Sequence, residues 1–253
     1  MEKPYSRQID FEAILNFRDL GGYRTADGRT VAWRHIFRGG NLLDMTTKDK
    51  ARLREELGLK TVIDLRNPSR QQRQRETDLL QEIGVEYLNI PFRTSNKSFL
   101  NEKKIYACAT DISQIYLYRV KRTALGKRLV KALETISDRE KHPVLFHCGI
   151  GKDRTGILTA FLLTLLGVSD DDIITEYSLS DPFMEEIRNR IVNNPATPQN
   201  VKNQPDFDWR ARPESMESFL RALRKDYGSV TEYLISRGMA PELVEELRKA
   251  LLV

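Results

Sequence analysis

One stretch constrains this chain more than any other: the short apolar run Pro143-Val144-Leu145-Phe146-His147 leads into Cys148, then Gly149-Ile150-Gly151-Lys152-Asp153, then Arg154, Thr155 and Gly156. The run reads as a buried strand, and the apolar segment Ile157 to Leu166, which closes on Gly167, reads as a buried core helix. A strand, a tight loop and a helix N-terminus in direct succession make an anion site, because loop N–H groups converge there and the helix dipole adds positive potential. Gly149 and Gly151 give the loop its backbone freedom. The same field lowers the pKa of Cys148, so a nucleophilic thiolate is expected near neutral pH. Arg154 can grip two equatorial oxygens of a phosphoryl group in a bidentate fork, and Thr155 is placed to donate its hydroxyl to the sulfur. The expected phosphate-binding set is Gly149, Ile150, Gly151, Lys152, Asp153, Arg154 and Thr155. A structural thiol is the usual fate of a lone cysteine, yet the joint match of strand, loop, arginine and helix outweighs it for Cys148. For Cys108, far from any loop signature, the buried-thiol reading is preferred. His147 is expected to hydrogen-bond the loop backbone rather than act as a base. A nucleotide-binding P-loop is excluded, since Asp153 follows Lys152 where Ser or Thr is needed and Phe146 stands where Gly is needed.

Around this stretch the sequence alternates between strand and helix patterns. Thr61 to Leu65 and Val85 to Ile90 read as further buried strands beside Pro143 to His147. Thr47 to Leu57, Ser69 to Ile83 and Leu125 to Ile136 read as helices. The expectation is an α/β fold with a central, mostly parallel twisted sheet flanked by helices. Asp27-Gly28, between Tyr23 and a run from Val31 to Phe37, reads as a hairpin turn that adds antiparallel strands. Ser169 and Asp181-Pro182 mark two helix starts. Residues 193–213 hold four prolines and Trp209 and read as a long surface loop, followed by a helical C-terminal region over 213–253. Residues 1–253 are expected to form a single domain with its core at about 14–180.

Composition excludes more than it identifies. Lys and Arg number 41 against 36 Asp and Glu, an excess that reads as solvated surface rather than a nucleic-acid footprint. Two cysteines and three scattered histidines supply neither a disulfide framework nor a metal set, so no metal and no cofactor are expected. The first residues, Met1-Glu2-Lys3-Pro4-Tyr5-Ser6-Arg7, lack the apolar core of a secretory signal, and no membrane segment is seen. A cytoplasmic location is expected.

From His147 to Gly156 the chain resembles the phosphate loop of protein tyrosine phosphatases. Its Gly-Lys-Asp-Arg-Thr-Gly form is similar to that of atypical bacterial phosphatases acting on phosphotyrosine and phosphoinositides. Asn16-Phe17-Arg18-Asp19-Leu20-Gly21-Gly22-Tyr23, Phe37-Arg38-Gly39-Gly40 and Thr61-Val62-Ile63-Asp64-Leu65-Arg66-Asn67-Pro68 match the same subgroup. Where that family usually shows Asp-Tyr after the core helix, this chain has Glu176-Tyr177. The resemblance implies a tyrosine phosphatase-like fold and phosphomonoester hydrolysis through phosphocysteine, on a phosphorylated protein or a phosphoinositide. Competing readings are a catalytically silent phosphoprotein or phosphoinositide binder and a sulfurtransferase. A basic leaving oxygen needs a carboxylic acid above the loop. Spacing before Cys148 offers only Asp111, while the resemblance implies Asp153 or Asp64, with Asp153 slightly preferred; Asp206 and Asp208 are the third possibility. Each of the first two has a structural alternative: Asp153 could organise loop N–H groups or pair with Arg18, and Asp64 could cap a strand end. Lys152 is expected to add a second cation to the pocket, with Arg18, Arg38, Arg66 and Arg70 as a candidate rim.

Overall fold

The computed structural model describes residues 5–92 and 105–253, so Met1 to Pro4 of the N-terminal reading lie outside the described residues. Among the described residues five short strands form one sheet: β1 (Arg18–Asp19), β2 (Ile36–Gly39), β3 (Thr61–Asp64), β4 (Glu86–Asn89) and β5 (Val144–His147), in the order β1-β2-β5-β3-β4. Only the β1–β2 pair is antiparallel. β5 is the middle strand, and its last residue, His147, is level with Gly39 of β2 and Asp64 of β3. Cys148 therefore emerges at the carboxyl edge of the parallel strands, where α/β sheets bind ligands.

The strand residues alternate between the faces, as the two-residue period requires. Phe37, Val62 and Leu145 pack on one side with Leu53 and Leu80, while Ile36, Ile63 and Phe146 join the larger cluster on the other side. Helices cover both. On the first side lie α1 (Thr47–Ala51), prolonged by a π-helical turn over Arg52–Glu56, and α2 (Arg70–Gln81). Both starts carry a reciprocal capping box, Thr46 with Asp49 and Ser69 with Gln72. The other side holds α3 (Ile112–Val120), α4 (Thr123–Ser137), α5 (Asp153–Leu166) and α6 (Asp170–Ser178). Helix α5 is apolar all round and buried along most of its length. It stops at Gly167, whose φ of 88° is the left-handed cap that an L side chain resists.

The segment read as a long loop contains the end of α7 (Asp181–Asn193), the single turn α8 (Gln199–Lys202) and a 3₁₀ turn over Asp206–Trp209. Its prolines punctuate short helical pieces. The tail forms α9 (Pro213–Tyr227), α10 (Val230–Ile235) and α11 (Leu243–Leu251), as its periodicity predicts. Three other expectations need correction. The Asp27-Gly28 turn exists, closed by Thr25 N donating to Arg29 O at 2.9 Å, but the following strand begins only at Ile36. Across the turn Val31 N donates to Tyr23 O at 2.9 Å and Val31 O accepts from Gly22 N at 2.7 Å, while Val31 and Ala32 also pair with Leu252 and Leu251 near the C-terminus. Cys108 is exposed, not buried, because it lies outside the core that α3 begins. Arg18 and Arg38 are fully buried rather than on a rim. Among the described residues, no helix is long and apolar enough to cross a membrane.

Phe161 of α5 ties the tail to the sheet, its ring 5.3 Å from Tyr233 and 6.3 Å from Phe219. Phe161→Ala is expected to cost about 3–5 kcal/mol of unfolding free energy, read by urea denaturation, because both tail helices lose the ring they pack on.

Candidate active site

Sequence fixes the loop first through sterics. Gly151 has a φ of 70°, and a Cβ there would meet Gly39 C and O at 2.7 Å and Gly40 N at 2.9 Å. The Phe37-Arg38-Gly39-Gly40 stretch thus has a physical meaning: its backbone lies directly against the loop. Cys148 is buried at the loop's start and Arg154 is half-buried at its end. Burial pushes the Cys148 thiol up, but Arg154 and the hydroxyl and N–H of Thr155 outweigh it, and the net pKa is lowered.

The loop's carbonyls are all taken from outside. The Cys148 carbonyl lies 3.3 Å from His147 Nδ1, Gly149 O accepts from Asn41 N at 3.1 Å and Ile150 O accepts from Asn16 Nδ2 at 2.9 Å. Gly151 O accepts from Arg38 Nη2 at 2.6 Å, and Lys152 O from Gly156 N at 2.7 Å. With the carbonyls turned outward, the N–H groups of so tight a loop are left to face the centre. Behind this sits a buried ion triad: Glu176 accepts from Arg18 Nε and from Arg38 Nη1, each at 2.6 Å. Arg18 also holds Asn16 Oδ1 at 2.5 Å. Asn16 adopts a φ of 58°, a left-handed conformation that asparagine tolerates better than most residues. Burial raises Glu176, but the two arginines more than reverse it and leave its pKa lowered. Asn16, Arg38, Asn41 and Glu176 were not read from sequence as loop supports; the subgroup motifs carrying the first two were the available signal.

Asp64 points into the core. Its oxygens accept from Arg66 N at 2.8 Å, Arg66 Nε at 2.9 Å, Arg66 Nη2 at 3.0 Å and Tyr87 Oη at 2.8 Å. Burial raises its pKa, but His147 and Arg66 bring it down to about 2. Asp64, Glu76 and His147 together have a donor set a metal could use, with Glu76 Oε1 3.1 Å from His147 Nε2. The Arg66 guanidinium already stands among them as the cation, paired to both carboxylates. Burial lowers His147 to about 4, so it is neutral at pH 7.

Lys152 is fully buried. Its ammonium donates to the carbonyls of Asp208 and Arg210 and lies 3.3 Å from Asp153 Oδ1. Asp153 also accepts from Tyr116 Oη at 2.7 Å, and Tyr116 in turn meets Tyr177 Oη at 2.8 Å. Asp153 does not pair with Arg18, which is committed to Glu176. Asp111 caps α3 through Ser113 N and accepts from Ser215 Oγ. Arg70 is exposed on α2 and Arg66 is half-buried. Asp206 pairs at the surface with Arg188.

The tyrosine phosphatase family model matches residues 9–253. A Cupriavidus necator protein that carries the provisional name of tyrosine-protein phosphatase is 28% identical over 89% of this chain and 82% of its own. The triple specificity protein phosphatase PtpB of Mycobacterium tuberculosis is 27% identical over 94% of this chain and 96% of its own. Among solved structures, the core catalytic domain of the PP-IP phosphatase SIW14 from S. cerevisiae aligns at 19% identity with a TM-score of 0.42. That alignment covers 78% of this chain and 89% of the other, and the likeness is too loose to bear on function.

Glu176→Gln leaves two buried guanidinium groups without their shared counter-ion, and a loss of about 3–5 kcal/mol is expected. The sign with pH follows from the lowered pKa: Glu176 stabilises the fold above its unfolded value of 4.5 and stops doing so as pH falls through the folded value. The stability gap between the wild type and the variant should therefore narrow in acid. A gap that stays constant from pH 7 into strong acid would show that the charge of Glu176 is not what holds the triad.

Proposed function

This chain belongs to the tyrosine phosphatase family, a family of phosphoric monoester hydrolases, and we propose that its reaction runs through a phosphocysteine on Cys148. The observation that carries the reading is the loop itself: a buried thiol with a lowered pKa at the mouth of a ring whose carbonyls are all bound elsewhere. In the first step the Cys148 thiolate attacks phosphorus while Arg154 and the N–H groups of Gly149 to Thr155 hold the equatorial oxygens. In the second, water displaces sulfur, and the Thr155 hydroxyl supports the departing thiolate. Asp153 stays in the phosphate-binding set, at the loop rim between Lys152 and Tyr116. Asp64 serves in this reading as the anchor of Arg66 and His147, since four donors already occupy its carboxylate.

The substrate class is a phosphorylated protein, with phosphotyrosine first and phosphoinositides second. Arg18, Arg38 and Lys152 are committed inside the protein, which leaves fewer free cations at the mouth than a multiply phosphorylated headgroup would use. Residues 1–253 are taken as one phosphatase domain, a reading supported by the hydrophobic cluster that the tail helices share with β5 and α5. Dependence on a free thiol favours a reducing compartment such as the cytoplasm. No metal takes part in the proposed steps.

Cys148→Ser is expected to abolish turnover of aryl phosphates while still binding vanadate, since an alcohol stays protonated in this field but the loop amides persist. Arg154→Lys should lose at least about a hundredfold in kcat/KM, because a point charge cannot fork to two oxygens. Full turnover by Cys148→Ser would remove the nucleophile. EDTA should leave the rate unchanged; inhibition that zinc or magnesium reverses would overturn the metal-independent route.

A further inference from the structure

We propose that Asp208, on the 3₁₀ turn after α8, is the general acid that protonates the leaving oxygen, with Asp153 beside it remaining ionised. The inference rests on the phosphatase reading above and adds a residue that no subgroup motif contains.

Two independent contacts set the Asp208 turn on the phosphate loop. Lys152, a loop residue, donates its ammonium to the carbonyls of Asp208 and Arg210. Ile150, another loop residue, packs against the small cluster of Met184, Ile187 and Trp209. Asp208, through its own carbonyl, and the two residues after it are thus fastened to Ile150 and Lys152 in the middle of the loop that holds the phosphate. Asp208 itself is only 5% exposed. The groups that act on it are Asp153 and Lys152 from the loop, Arg119 from α3 and Tyr106.

These surroundings drive the two neighbouring carboxyls apart. Burial, then the negative charge of Asp153, raises Asp208 to about 7 despite Lys152, Arg119 and Tyr106. Asp153 is raised by burial too, but Lys152, Arg119, the Tyr116 hydroxyl and Arg154 bring it net down. One carboxyl keeps its proton near neutral pH and the other does not, which is the arrangement that assigns acid and base roles. In the first step the S–P bond forms, the P–O bond breaks and the departing oxygen takes the Asp208 proton. In the second, the Asp208 carboxylate takes a proton from the attacking water as the P–S bond breaks, which releases phosphate and restores both groups. Because the carboxyl is sheltered, substrate entry must shift the 206–209 turn enough for the ester oxygen to reach it.

The test compares Asp208→Asn, Asp153→Asn and the surface control Asp206→Asn on two aryl phosphates, one with a strongly acidic phenol and one with a tyrosine-like phenol. Asp208→Asn should lose about 10²–10⁴-fold in kcat/KM on the tyrosine-like substrate and under about tenfold on the other, with the basic limb near pH 7 flattened. Asp206→Asn should match the wild type on both. Equal losses on the two substrates in Asp208→Asn, with vanadate still bound, would overturn the proposal. Leaving-group dependence appearing only in Asp153→Asn would also overturn it. Should Asp208→Asn fail to bind vanadate, Asp208→Glu decides: a loss larger on the tyrosine-like substrate than on the other, or a basic limb displaced from that of the wild type, supports the acid role, and equal losses with the limb unmoved refute it. Turnover by Cys148→Ser would instead refute the phosphocysteine reading on which the proposal rests, an outcome distinct from either loss pattern in Asp208→Asn.

Discussion

A ring of amides can face one anion only if every carbonyl of the ring has a donor somewhere else. Desolvating a carbonyl without a partner costs about 1–3 kcal/mol, so a loop with several unmet carbonyls would twist to satisfy them and lose its inward field. Here the partners come from five separate places: the strand end at His147, the turn after β2, the N-terminal segment at Asn16, the β2 side chain Arg38 and the first turn of α5 at Gly156. Much of what surrounds the loop can be understood as holding those donors in place. The sheet registers β2 beside β5, and the glycines at 40 and 151 let the backbones approach closely enough to bond.

Electrostatics adds a second layer to the same design. Arg38 must be buried to reach Gly151, and a buried guanidinium needs a counter-ion. Glu176 supplies it from α6 and holds Arg18 with its other oxygen, so the helix after α5 is locked to the N-terminal strands behind the loop. The Asp64, Arg66, Glu76 and His147 group plays a parallel part on the β3 side. Both groups keep their charges internally matched. Arg154, whose guanidinium Nη2 lies 3.8 Å from where a Cβ on Gly149 would be, is left to face the loop and to lower the thiol pKa.

The local order of residues carried most of this. Strand, loop and helix from Val144 to Leu166 were legible because short-range pattern determines them, and the parallel core followed from alternating periods. The three subgroup stretches could be recognised, but their purpose could not. Asn16 reaches Ile150, Arg38 reaches Gly151 and Glu176, and Arg18 reaches Glu176 through contacts 113 to 158 positions apart in the chain, and no spacing rule reports that. Lys152 was misleading for a related reason. A lysine in a phosphate loop suggests a ligand cation, whereas its ammonium turns away to the carbonyls of Asp208 and Arg210. Burial could not be read either, which is why Arg18 and Arg38 looked like surface charge and Cys108 like a core thiol. The 193–213 segment was legible as irregular but not as the piece that caps the loop through Trp209 and Lys152.

The central claim is that phosphate leaves its ester by moving to Cys148. Mixing the protein with an aryl phosphate whose second step is slow, quenching in acid within milliseconds and mapping the digested peptides by mass spectrometry tests it directly. The account predicts one phosphoryl group on the peptide holding Cys148, absent from Cys148→Ser and lost on prolonged incubation. Phosphate on any other residue, a persulfide in its place, or turnover with Cys148 never modified would contradict it.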